Sequence, residues 1–184
     1  MKIKDMSRRA RVTAGGAALA AVAAAAFGTV SANAAPAAVP AAAAKPAATT
    51  TSTHLTVDAA TEAARAALDA AEKENQRITV AVVDRNGNTI VTLRGDGAGP
   101  QSYESAVRKA YTAVSWNAPT SELAERLKSA PNLKDIPGTL FLGGGVPVTA
   151  KNAPVAGIGV AGAPSGDLDE KFARAGALAI GNGR

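Results

Sequence analysis

Cysteine is absent from all 184 residues, and methionine occurs only as Met1 and Met6. The missing thiols exclude disulfides, thiolate nucleophiles, thiolate metal sites and a lipid-modified cysteine anchor. Aromatic residues make up 3% of the chain, and histidine occurs once, as His54. Metal and haem chemistry therefore has few side chains to draw on. No serine has a histidine partner other than His54, so acyl-transfer chemistry lacks its usual base. This inventory favours a binding module over an enzyme.

A true excess of charge is also lacking. The net charge is +5, but Lys2, Lys4, Arg8, Arg9 and Arg11 all lie in the first 34 residues, where Asp5 is the one acid. The remainder carries 15 basic and 14 acidic residues. A balance near +1 gives no electrostatic reason to expect a nucleic-acid partner.

What is present begins with those five cations, which precede an Ala-rich apolar stretch from Val12 to Val30. Ala32-Asn33-Ala34 follows the small-x-small rule for cleavage, so residues 1–34 are predicted to be an export signal. Arg8-Arg9 predicts the twin-arginine type, although Arg11 and Val12 stand where Phe-Leu is usual. The Ala and Gly content argues against a retained membrane anchor. The expected location is secreted, extracellular or cell-wall associated. Residues 35–53, with three Pro and four Thr among Ala, predict a flexible tether. Residues 54–184 then form one domain.

Within that domain, "LTVDAATEAARAALDAAEKEN" predicts a helix capped by Thr56, with Leu55, Ala59, Ala63, Ala67 and Ala70 on its inner stripe. Two β-branched runs, 78–83 and 89–94, flank Asp84-Arg85-Asn86-Gly87-Asn88 and predict a hairpin. "QSYESAVRKAYTAVSW" predicts a helix up to Pro119. Its period places Tyr103, Ala106, Val107, Ala110, Ala113 and Val114 inward, and Ser105, Arg108, Lys109, Thr112 and Trp116 outward. A short helix capped by Thr120 or Ser121, strands turning at Lys151 to Pro154, and a final helix complete the order. The predicted class is α+β, an antiparallel sheet with helices packed against it.

Gly157-x-Gly159-x-x-Gly162 has the spacing of a dinucleotide-binding turn. Ala163 to Gly166 interposes a loop before the helix, and no strand follows it, so the parallel strand–helix–strand unit is missing. The glycines instead predict a strand against which another backbone or a flat ligand packs closely. In "LFLGGGVPV", Pro147 rules out a phosphate-cradling helix start and leaves a bulged turn into a strand.

Five segments, "AVVDRNGNTIVTLRGDGAG", "SAVRKAYTAVSW", "APTSEL", "GGGVPV" and "VAGIGVAGAPSGDLDE", together resemble the haem-binding GlcG/HbpS family in order and spacing, over nearly all of residues 55–184. With an export signal, the chain is most similar to the secreted sensory members. The resemblance implies a profilin-like (GlcG-like) α+β fold assembled into an octamer. It implies haem and iron as cofactors, with slow haem breakdown as an associated property. It also implies an accessory role to a membrane sensor histidine kinase of a two-component system for haem and oxidative stress. The alternative is an enzyme or binding module for a non-haem small metabolite.

For haem, the resemblance points to the "KAYTA" segment and thus to Thr112. The usual axial ligands leave only His54, Tyr103 and Tyr111 beside an oxygen such as that of Thr112. Arg108 and Lys109, one turn earlier, are candidates to pair with propionates, or are ordinary surface charges. Trp116 is expected to stack on the macrocycle or fill a subunit interface. For iron, the acidic pairs associated with secreted members match Glu122 with Glu125 and Asp69 with Glu72, each at i and i+3 on a helix. Solvated helix charges are the plainer account of both pairs.

Overall fold

The computed structural model describes residues 41–181. The predicted export signal and the start of the predicted tether lie outside the described residues. Residues 41–45 form no helix or strand, and the unit beginning at Pro46 carries the rest. Pro46–Ala48 makes one 3-10 turn, and residues 49–54 are exposed without regular structure.

Helix α1 spans Val57–Lys73, with the Thr56 hydroxyl accepting the Ala59 amide at 3.2 Å as the sequence predicts. Its buried stripe is Ala60, Ala63, Ala64, Ala67, Leu68 and Ala71. That stripe is rotated from the predicted one, leaving Ala59 and Ala70 only half-buried. Leu68 is the one large side chain on it and steers the helix onto the sheet. Asn75, at φ 55, turns the chain out of the helix into β1.

Strands β1 (Thr79–Asp84) and β2 (Thr89–Arg94) form the predicted hairpin within a residue. Only Gly87, at φ 89, supplies positive φ in the turn. The Asp84 carboxylate accepts the amides of Asn86 and Asn88, both at 2.8 Å, and so closes the loop. Strands β3 (Gly145–Ala150) and β4 (Ala153–Ala161) join through Lys151 and Asn152, both left-handed. The sheet is antiparallel throughout, in the order β2-β1-β4-β3.

The alternation of β1 sorts the two layers. Val80 and Val82 join Ile158 and Val160 under α1 and the final helix α4 (Gly166–Ile180), with Phe172 and Ala173. Ala81 and Val83 face Ala106, Ala110 and Val114 of α2 (Gln101–Trp116). Fully burying Phe172 is worth about 1.5–3 kcal/mol, an anchor the small residues of α1 cannot match. The short α3 (Thr120–Arg126) follows α2.

The glycine pattern finds its account here. A Cβ at Gly157 would run into the carbonyl oxygen of Ala110, and one at Gly159 into that of Ala106. Helix α2 thus lies directly on the backbone of β4, where only glycine fits. It is another backbone, rather than a ligand, that these glycines admit.

Candidate functional site

Helix α2 carries most of the candidate residues, and its faces differ from the period-based expectation. Lys109 and Thr112 are buried, whereas Tyr103, expected inward, is 53% exposed. The inward shift follows from the glycine floor, which draws α2 so close to β4 that neighbouring positions are covered too.

Lys109 is drawn into an ion pair. Its ammonium lies 2.7 Å from the Asp169 carboxylate and donates to the Val160 carbonyl at 3.0 Å. Asp169 also accepts the Ala163 amide at 3.0 Å. Burial pushes the Asp169 carboxyl above the ordinary aspartate value, against the pull of the Lys109 ammonium and the Ala163 and Gly162 amides. The cluster ties α2 to the end of β4 and the first turn of α4. The Lys109 ammonium is thereby engaged inside the protein rather than held out towards a propionate.

Thr112 and Arg108 stitch α2 to the segment 136–142. The Thr112 hydroxyl donates to the Arg108 carbonyl at 2.7 Å and accepts the Leu140 amide at 2.8 Å. The half-buried Arg108 guanidinium donates to the Thr139 carbonyl at 2.7 Å and lies 3.7 Å from Glu104. Next to them, the Tyr111 ring packs between Gly87 of the hairpin turn and Gly138. Its hydroxyl has no hydrogen-bond partner among the described residues. Ile136 and Leu142, 40% and 56% exposed, border the same segment.

Trp116 meets Phe141 edge-on, with ring centroids 5.3 Å apart, in a small cluster with Leu123 and Ala118. It is therefore engaged within the chain. His54 is exposed on the segment before α1, its Nε2 2.7 Å from the Ser52 hydroxyl. Slight burial raises the Asp84 carboxyl, but hydrogen bonds from Asn88 and Asn86 and the nearby His54 outweigh this and hold it below the ordinary value.

The acidic pairs stay apart from these residues. Asp69 and Glu72 are exposed on α1, and Glu122 and Glu125 on α3, where Glu125 pairs with Lys128. No three His, Cys, Asp or Glu side chains converge on a metal position among the described residues. The expected caps of α3 serve other bonds: Thr120 accepts the Gly145 amide at 2.8 Å, and Ser121 donates to Glu170 through its amide and hydroxyl. The roles of Asp169 and Glu170 carried no signal in the sequence, because each meets its partner across a long separation, Lys109 for Asp169 and Ser121 for Glu170.

Cavities among the described residues include two of about 230 and 470 Å³. The smaller is lined by residues that include Glu72, Arg77 and Asp96, the larger by the outer face of α4. Neither of these two touches Arg108, Tyr111 or Thr112.

Residues 55–178 match the family model described as haem degrading protein HbpS-like. The chain belongs to the HbpS-like family. The Streptomyces reticuli HbpS structure, a double mutant with two Glu-to-Asp changes, is 75% identical and superposes with a TM-score of 0.77, over 80% of this chain and all of that one. A PduOC:heme complex is 26% identical with a TM-score of 0.65, over 71% of this chain and 98% of that one. An uncharacterised 15.0 kDa protein of Citrobacter freundii, from a dhaT-dhaS intergenic region, is 30% identical over 113 residues, 59% of this chain and 80% of its own length. The HbpS-like fold is the α+β arrangement expected from the sequence. No helix among the described residues is long and apolar enough to cross a membrane.

Proposed function

We propose that this chain is a secreted haem- and iron-binding protein that serves as an accessory sensor of haem and oxidative stress for a membrane histidine kinase. The observation that carries the reading is its 75% identity to HbpS along the whole of that solved chain, within a family described by haem chemistry. Slow haem degradation and assembly into an octamer belong to the same reading.

The surface around Arg108, Tyr111 and the 136–142 segment has the components a haem requires. Tyr111 offers a phenol oxygen, a known type of axial ligand, and the Arg108 guanidinium suits a propionate. Ile136 and Leu142 supply exposed apolar area beside them. Thr112 is fully covered and hydrogen-bonded, so it reaches a haem only if residues 139–140 move aside. In the closed arrangement it positions that segment. Lys109 acts behind the site by fixing α2, and His54 lies at its periphery. Bound haem supplies the iron-centred redox chemistry that a sensor of oxidants needs.

For iron, Asp69 and Glu72 are the freer pair, since Glu125 is held by Lys128. Two carboxylates make a weak, exchangeable oxygen site for a hard cation. A second reading, a small polar metabolite, is favoured by the 230 Å³ cavity beside Glu72, Arg77 and Asp96, which is smaller than the roughly 300–1,000 Å³ of sites for drug-sized ligands.

Haemin titration followed by Soret absorbance tests the main reading. The expected result is a saturable shift, weakened about tenfold, or 1.4 kcal/mol, in Tyr111→Phe and in Thr112→Ala, and unchanged in His54→Ala. The absence of any saturable shift in the parent protein would sink haem binding and leave the small-metabolite reading.

A further inference from the structure

We propose that the hydroxyl run Thr49 to Thr53, where the predicted tether meets the folded domain, is a site of O-glycosylation, with Thr50, Thr51 and Thr53 as the acceptors. The inference rests on the export proposed above. Five hydroxyl side chains stand in a row, Thr49-Thr50-Thr51-Ser52-Thr53, after prolines at 36, 40 and 46 and among alanines. Serine and threonine mixed with proline is the composition of sugar-bearing stalks.

Hydrogen bonding separates this run from the hydroxyls of the domain. There, Thr56 caps α1, Thr61 and Ser115 donate to carbonyls one turn back at 2.8 and 2.7 Å, and Thr112 and Thr120 accept backbone amides. In the run, Thr49 donates to the Pro46 carbonyl at 2.9 Å and Ser52 meets the His54 ring at 2.7 Å. The hydroxyls of Thr50, Thr51 and Thr53 form no hydrogen bond among the described residues. Residues 49–54 are all exposed and outside any helix or strand, so a transferase can draw them into its cleft without opening the fold. No charged, aromatic or long side chain lies between Pro46 and His54. Nothing there would pair with a phosphate, whereas small neighbours leave room for a sugar.

The step is a group transfer by a separate transferase of the producing cell. The threonine Oγ attacks the anomeric carbon of a glycosyl phosphate donor. A C–O bond forms, the bond from that carbon to the phosphate oxygen breaks, and the phosphate leaves with the electron pair. The hydroxyl proton passes to a base of the transferase, and nothing is oxidised or reduced. An exposed segment of small and polar residues is where proteases cut first. Bulky, solubilising sugars cover the backbone at that point.

The test is the intact mass of the full chain recovered from the medium of its producing cell, against the same chain made in a cytoplasm without glycosyl transferases. The expected result is an exported chain heavier than its polypeptide by whole sugar units, which electron-transfer fragmentation places on Thr50, Thr51 or Thr53. Replacing all three by Ala should remove the increment and leave the circular dichroism spectrum unchanged. Added protease should cut the tether of that variant, and of the cytoplasmic chain, sooner than that of the exported parent. An exported chain at its bare mass, a phosphate increment, or sugars found only beyond His54 would each overturn the site while leaving export intact. A chain kept inside the cell with residues 1–34 attached would overturn the export reading and the site together.

Discussion

The two faces of the sheet are held by different means. Under α1 and α4, side chains of unequal size interlock, with Phe172, Leu68, Ile158 and Val160 filling the space between alanines. Under α2 the side-chain layer is thin, Ala81 and Val83 against Ala106, Ala110 and Val114, and glycines of β4 let the helix backbone rest on the strand backbone. Polar bonds add to this hold, through Lys109 with Asp169 and the bonded hydroxyls of Thr112, Thr79 and Ser102. A volume-filled layer tolerates small changes by repacking, while a layer built on contact distance and paired charge tolerates few. The candidate ligand surface belongs to the second kind.

Breaking the buried pair should cost most. Asp169→Asn leaves the Lys109 ammonium without its counter-charge and is expected to cost about 3–5 kcal/mol in denaturant unfolding at neutral pH. Lys109→Met sharpens the point through its pH profile. Loss of the ammonium moves the Asp169 carboxyl still higher, so the folded state binds a proton more tightly than the unfolded one. The stability of that variant should be greatest below the unfolded aspartate value, about 3.9, and fall as pH rises through the folded value. A pH profile no different from the parent's would mean that Lys109 does not control Asp169.

Next comes the glycine floor. Gly159→Ala adds one methyl group against the Ala106 carbonyl and should destabilise by about 1–3 kcal/mol or more, as overpacking does. Urea unfolding midpoints check this. A neutral outcome would mean that α2 can lift from β4 freely, and the contrast between the faces would fail.

The smallest effect concerns Asp84, outside both layers. Its folded carboxyl is held below the ordinary 3.8, so it contributes stability above that value which is lost as pH falls through the folded one. Asp84→Asn should lose under about 1 kcal/mol at neutral pH, since the group is partly solvated, and should show a shallower acid-unfolding curve. Circular dichroism from pH 6 to 2 measures both.

The elements were legible in the sequence because their signals are local. Thr56, Asn-Gly at 86–87 and Pro119 mark the boundaries, and the structure places them there. The family was legible from five motifs in order. Ala106, Ala110, Ala113 and Val114 of α2 face in as their period predicts; what was not legible is that Lys109 and Thr112 beside them are covered as well and that Tyr103 is not, since periodicity sorts apolar from polar positions and cannot anticipate a helix seated on glycine. Nor could the sequence pair Lys109 with Asp169, 60 residues away. Thr112 was singled out by resemblance; its bond to Leu140 is a tertiary fact with no local signature.

The close seat of α2 also constrains how news of a bound molecule can travel. A helix pressed onto its strand without an intervening cushion cannot slide or roll along it, so α2 behaves as a fixed rail. The stretch from Ile136 to Leu142 is fastened to that rail by the Arg108 and Thr112 hydrogen bonds. Whatever binds beside Tyr111 therefore meets a surface whose only give lies in those few bonds, and loosening them would be felt at the edge of the rail and not along it.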